Sequence, residues 1–241
     1  MILEGKNAVT EALKNLNPID KILIKKGYEN SSLRAIRYLA KKNGVIVQLV
    51  ENEKLNFLSE TKNHQGIIAI CPEKNYCTVD DILEFAHKKN EMPLIIILDR
   101  INDPRNFGAI IRSCECFGAH GIIIPKRRNV SLTGTVSKTS AGALEHILIA
   151  RVNNLVHEIE NLKKKNIWVT CADMSGEDIS KIDFKIPSAI IIGSEGFGVS
   201  DLVKKKSDFK AKILMHGKIN CLNASVAAGI FLYEAMRQRL I

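Results

Sequence analysis

Four uninterrupted apolar runs constrain this fold more than anything else in the chain: LIIIL at 94–98, GIIIP at 121–125, IWVTCA at 167–172 and AIIIG at 189–193. A strand wet on one side alternates apolar and polar residues, whereas a strand covered on both faces has no polar side to show. These runs therefore predict parallel strands with helices on both faces. Helical patterns between and after them, at 106–117, 153–165 and 223–239, supply the cover. In such an α/β sheet the loops collect at the carboxyl ends of the strands, and a ligand cleft is expected there.

Ahead of the first run lies a shorter alternation. Helical patterns at 7–16, 33–42 and 53–60 interleave with strand patterns at 21–25, 45–50 and 66–70, which describes a small α/β unit of its own. CPEKNYCTVDD at 71–81 then brings a proline, mixed charge and no periodicity, so it reads as a linker into a helix near 81–89. The expected plan is a first domain over 1–73, a linker and first helix over 74–90, and the main domain over 91–241, with the boundary near residue 75.

No apolar run approaches the roughly 18–20 residues that span a bilayer. The opening MILEGKNAVTEALKNL is amphipathic and carries acidic residues, unlike a basic-then-apolar leader, so a cytoplasmic protein with no membrane partner is expected. The six cysteines form no CxxC pair and no finger-spaced Cys/His set, which argues for reduced thiols and against a metal. His64, His120, His146, His157 and His216 lie in separate segments with no metal or triad spacing. A formal charge of +9 favours a polyanionic partner, although charge alone does not choose one.

Three segments share a strand–loop–helix design: IIILDRINDPRNFGAIIRSCECF at 95–117, AIIIGSEGFGVS at 189–200 and ILMHGKINCLNASVAAGIFLYE at 213–234. Far apart in sequence, they suggest one composite site. In the first, Asn106 either caps the following helix or faces the cleft. Arg112, on an otherwise apolar helix, needs solvent, an anion or a structural partner such as Glu115 three residues on. In the second, the glycines read GxxGxG and not the dinucleotide pattern GxGxxG, and Glu195 between two of them is placed for hydrogen bonding. The cluster Lys126, Arg127 and Arg128 follows the strand GIIIP, where it contacts phosphates or is simply solvated. Lys138 and Thr139 open a small-residue segment that contacts a ligand or caps a helix.

In order and spacing, DRINDPRNFGAIIRSCECFGA, IIGSEGFGVS and ILMHGKINCLNASVAAGIFLYEA resemble the three signature motifs of the SpoU family of RNA ribose 2′-O-methyltransferases, in the SPOUT superfamily. The opening EGKNAVTEAL and the stretch HQGIIAI look like the substrate-binding domain of the ribosomal RNA members. The subgroup it is most similar to methylates a guanosine ribose of large-subunit ribosomal RNA. The resemblance implies a parallel sheet with a C-terminal deep trefoil knot, preceded by a small α/β RNA-binding domain of the ribosomal L30e type. It implies S-adenosylmethionine as cofactor, held by Gly193, Ile213 and Leu222, with Met215 and Thr139 in support. It also implies a homodimer whose sites draw on both subunits, with the helix over 223–236 at the interface. In the family the base role is given to the arginine matching Arg112, with Asn106, Glu195 and Asn223 orienting it and the substrate. An arginine is normally protonated at neutral pH, so Arg112 equally suits an RNA phosphate and a developing oxyanion. Two positions depart from the family pattern: Cys221 stands where a serine is usual, and Leu214 where a proline is.

Overall fold

The apolar runs form the centre of a six-stranded, wholly parallel sheet in the computed structural model, which describes residues 2–16, 18–59, 62–71, 76–127, 129–218 and 221–240. This sheet belongs to the second of two compact units, Tyr76–Ser131 with Thr139–Ile241. The first unit is Met1–Asn75 with Leu132–Lys138. The expected boundary near residue 75 falls on 72–75, outside the described residues.

The first unit runs β1 (Ile2–Glu4), α1 (Lys6–Lys14), β2 (Lys21–Lys25), α2 (Ser31–Lys42), β3 (Ile46–Val50), α3 (Asn52–Leu58) and β4 (Ile67–Ile70). Its mixed sheet has the order β1-β4-β2-β3, with β2 parallel to β3 and antiparallel to β4. Alternation along β2 sends Ile22 and Ile24 against Val9, Leu13, Leu33 and Ile36 of α1 and α2. Leu23 points the other way, into a small cluster with Val50, Leu55 and Ile68. The unit therefore has a core on each side of its sheet.

The second unit runs α4 (Val79–Lys88), β5 (Leu94–Asp99), α5 (Pro104–Cys116), β6 (Gly121–Pro125), β7 (Leu148–Val152), α7 (Leu155–Lys164), β8 (Trp168–Asp178), β9 (Ser188–Gly193), α8 (Asp201–Lys206), β10 (Phe209–Lys212) and α9 (Ala224–Arg239), while α6 (Gly134–Thr139) bridges the residue ranges of both units. The strand order is β10-β8-β9-β5-β6-β7. Every residue of β5 is buried, as the continuous apolar run requires. Ile82 of α4 and Leu155, Ile159 and Leu162 of α7 pack with Ile95, Ile97, Ile123 and Ile191. The helices α5 and α9 pack on each other, and α9 packs on β9. The end of α9 is tied down by Arg239, which donates to the carbonyls of Met92, Phe184, Pro93 and Ile186 at 2.6, 2.8, 3.0 and 2.9 Å.

Two expectations need correction. The strand expected to begin at 213 is β10, which ends at Lys212, and residues 213–218 lie outside any helix or strand. Of the four residues of β10 only Ala211 is buried, so this edge strand has no apolar run to announce it. β8 continues six residues past the expected IWVTCA, to Asp178. Its pairing with β10 jumps from Cys171 to Glu177 between Lys210 and Ala211, so 172–176 bulge out of the ladder.

Candidate active site

Asp103 accepts the Arg105 N–H at 2.8 Å, and Pro104 follows it in the first helical turn, so Asp103 caps α5. Asn106 is thereby released from the capping role considered for it. Its Nδ2 donates to Glu195 Oε1 at 2.9 Å, and its Oδ1 accepts from Asn223 Nδ2 at 3.0 Å. Asn223 Nδ2 also donates to Glu195 Oε1, which closes a triangle. The Ala224 N–H adds a longer contact to the same oxygen at 3.4 Å. Three residues from three segments distant in sequence thus share one hydrogen-bonded cluster.

Each corner is fixed by its own backbone. Asn223 caps α9, its Oδ1 accepting from the N–H of Ser225 at 2.9 Å and the Ser225 hydroxyl at 2.6 Å. That leaves only its amide nitrogen for the cluster. Glu195 rides on a tight loop closed by two bonds, Ser194 N–H to the Gly198 carbonyl at 3.2 Å and Gly198 N–H to the Ser194 carbonyl at 2.9 Å. Gly196 and Gly198 take φ of 82° and 64°, the left-handed region that glycine enters without strain. The buried carboxylate of Asp99, at the end of β5, accepts the Ser200 N–H at 2.7 Å and anchors the far side of this loop.

Beside the cluster opens a cavity of about 430 Å³, within the range of small-molecule sites. Gly193, Ile213, Met215 and Leu222, four of the five residues expected to hold a cofactor, line it together with Glu195 and Cys221. Thr139, the fifth, ends α6 and is not part of the lining. The bulge of β8 contributes Ala172, Asp173 and Met174. A Cβ at Gly193 would stand 2.2 Å from the Gly198 carbonyl carbon, so a side chain there would push the loop away. The Ser194 hydroxyl in this wall is buried and has no protein partner among the described residues. The backbone of Leu214–Lys218 lies outside any helix or strand. A small-residue wall, apolar flanks and backbone groups outside any ladder fit a ligand with an aromatic end and hydrogen-bonding edges.

Asp173 and Lys204, which sequence reasoning missed, form an ion pair in the lining. Burial works to raise the Asp173 carboxyl, but bonds from Lys204 and from the Ser175 hydroxyl and N–H outweigh it and hold the group at about 2. A signal was present: Asp173 comes next after the run IWVTCA, much as Glu195 lies two residues past AIIIG. Burial pushes the Cys171 thiol nearby up to about 12, and it stays protonated.

Arg112 stands apart. Six residues beyond Asn106, it is about 9 Å further along α5 and on a different face. It is exposed, and among the described residues it makes neither an ion pair with Glu115 nor a bond to the cluster. Lys126 and Arg127 are exposed just after β6, and the Lys126 carbonyl accepts from Arg151 at 3.1 Å. Arg128 lies outside the described residues. Among the described residues no group of His, Cys, Asp and Glu is arranged to hold a metal, and no helix is long and apolar enough to cross a membrane.

Parallel sheet, composite loop site and adjoining cavity define a ligand-binding α/β domain preceded by a separate α/β unit. Residues 93–233 match the SpoU rRNA Methylase family, and residues 2–77 match the family described as RNA 2′-O ribose methyltransferase substrate binding. The chain is 45% identical over 98% of its length to YacO of Bacillus subtilis (strain 168), assigned to the TrmH family of tRNA/rRNA methyltransferases, and covers 94% of that protein. Its fold matches the SpoU methyltransferase AviRb from Streptomyces viridochromogenes, solved in complex with AdoMet, at a TM-score of 0.82 and 25% identity, covering 100% of this chain and 90% of that one. An AdoMet-bound rRNA methyltransferase from Sinorhizobium meliloti matches at 0.75 and 25% identity, covering 98% and 86%. The protein belongs to the SpoU family of RNA methyltransferases.

Proposed function

We propose that this protein transfers a methyl group from S-adenosylmethionine to a ribose 2′-hydroxyl of RNA, with a guanosine of large-subunit ribosomal RNA as its target. The observation that carries this reading is the triangle of Glu195, Asn106 and Asn223 at the rim of the cavity, where the loops of all three family motifs meet. Gly193, Ile213, Met215 and Leu222 hold the cofactor, with Thr139 as an outer contact. Bound S-adenosylmethionine supplies a methyl already activated on a sulfonium. What remains for the protein is placement of the hydroxyl in line, passage of its proton to solvent and stabilisation of the charge it develops.

Asn106 and Asn223 each spend one amide group on Glu195, so the three side chains move as a unit and orient the ribose together. Arg112 binds the substrate phosphate and the developing oxyanion through its guanidinium donors. Because it lies away from the triangle of its own chain, Arg112 serves the triangle of a second protomer in a homodimer. Exposed Val226 and Tyr233 on α9, close to α5, support that interface. The return of the chain from edge strand β10 to pack α9 on central β9 supports threading of the C-terminal segment as a deep trefoil knot. The first unit, of the L30e type, binds the RNA, aided by Lys126, Arg127 and Arg128. Six cysteines, none of them in a disulfide, support a reducing compartment, the cytoplasm.

Transfer of labelled methyl to unmodified large-subunit ribosomal RNA and, in parallel, to unmodified transfer RNA tests the substrate. Label at one site of the ribosomal RNA is expected, and label in transfer RNA alone overturns that choice. Arg112→Ala is expected to lose methyl transfer while largely keeping RNA binding, which the first unit and the other basic residues carry, and retained turnover overturns its assigned role.

A further inference from the structure

Phe197, at the tip of the Glu195 loop, is 86% exposed. A phenylalanine in water forfeits its hydrophobic stabilisation, and a loose loop would fold such a ring away. This loop is not loose. The paired bonds between Ser194 and Gly198, the left-handed glycines on either side of the ring and the Asp99 anchor on Ser200 hold the tip out. Phe197 is nonetheless among the residues that line the cavity, as is partly exposed Leu222. It sits two peptide units from Glu195, at most about 7 Å along the chain. That step is comparable with the span from a ribose to its own base.

We propose that Phe197 is the stacking platform for the base of the nucleotide whose ribose is methylated. This rests on the methyl-transfer reading above and names how that site selects its substrate. The triangle reads the sugar, and the aromatic face beside it receives a base that has left its own stack. RNA recognition commonly works this way, since unstacked bases lie on aromatic side chains. Stacking alone is tolerant of base identity, so Phe197 selects an unpaired nucleotide over a paired one.

The test compares Phe197→Ala and Phe197→Trp with wild type, using in vitro transcribed large-subunit ribosomal RNA and transfer RNA. The readouts are KM for RNA, kcat, and S-adenosylmethionine affinity by calorimetry. Because Phe197 is exposed, both variants should fold. For Phe197→Ala the expected result is a KM for RNA raised about tenfold, cofactor affinity unchanged, and recovery in Phe197→Trp. An unchanged KM overturns the proposal, as does a loss of cofactor affinity in its place, which would make Phe197 a lid over the cofactor. If wild type itself transfers no methyl, the reading of the site fails instead. Equilibrium binding of the same transcripts then decides the stacking: weaker binding by Phe197→Ala upholds it, and equal binding overturns it.

Discussion

Gly193→Ala should disable the site through geometry alone. The new Cβ would lie 2.2 Å from the Gly198 carbonyl carbon, 2.3 Å from the Val199 nitrogen and 2.4 Å from the Gly198 oxygen, where ordinary contact begins at 3.4 Å. All three atoms are backbone, so no rotamer change relieves the clash. Gly193 is held in register opposite Asp99 within the sheet, which leaves the loop 194–198 to move by more than 1 Å. That movement breaks the two Ser194–Gly198 bonds, each worth about 1 kcal/mol. Overpacking of this kind costs about 1–3 kcal/mol. The melting temperature should fall by several degrees, at about 2–4 °C per kcal/mol for a domain of this size. Activity should fall much further, because Glu195 rides on the displaced loop and a misplacement of about 1 Å can cost on the order of a hundredfold. Calorimetric titration with S-adenosylmethionine, methyl-transfer kinetics and thermal melting read the three effects. A Gly193→Ala protein with cofactor affinity and turnover within about twofold of wild type would refute the close-approach argument.

Other expectations follow from single contacts. Asp173 is depressed to about 2 in the folded protein, so its stabilisation is full above its ordinary value near 4 and is lost as the pH falls toward 2. Asp173→Asn should therefore cost about 1 kcal/mol at neutral pH, after allowance for solvent reaching the pair, and the gap to wild type in urea melts should close by about pH 2. Arg239→Lys replaces a planar fork bonded to four carbonyls with a group of three donors. It should destabilise the second unit by about 1–2 kcal/mol in denaturant melts, with methyl transfer per folded molecule preserved. Arg112→Ala and Glu195→Gln, each inactive alone, should regain about a quarter of wild-type activity after subunit exchange if each site takes its arginine from the other protomer. No recovery would place Arg112 in its own chain's site.

The central strands and the meeting of three loops were legible because continuous apolar runs admit few alternatives. The grouping of Asn106, Glu195 and Asn223 came from the family resemblance and not from spacing, since the bonds join residues 89, 117 and 28 apart in sequence. Which residue caps α5 turned on the Asp103–Pro104 pair, a local signal that settles the role of Asn106 once it is given its weight. The short edge elements escaped for a different reason. β10, with one buried residue, and α8, with only Val203 buried, carry too little apolar surface to show a period. The bulge over 172–176 arises from a register jump against β10, which nothing in the local sequence of β8 dictates. Asp173 was overlooked with it, because the strand was expected to stop at residue 172.

The most direct measurement is transfer of tritiated methyl from S-adenosylmethionine to unmodified large-subunit ribosomal RNA, followed by complete alkaline hydrolysis. A 2′-O-methyl group removes the hydroxyl that cleaves the chain, so the account predicts all label in a single alkali-resistant dinucleotide, lost in Glu195→Gln. Label recovered in ordinary mononucleotides would place the methyl on a base and contradict ribose 2′-O-methylation as the reaction of this site.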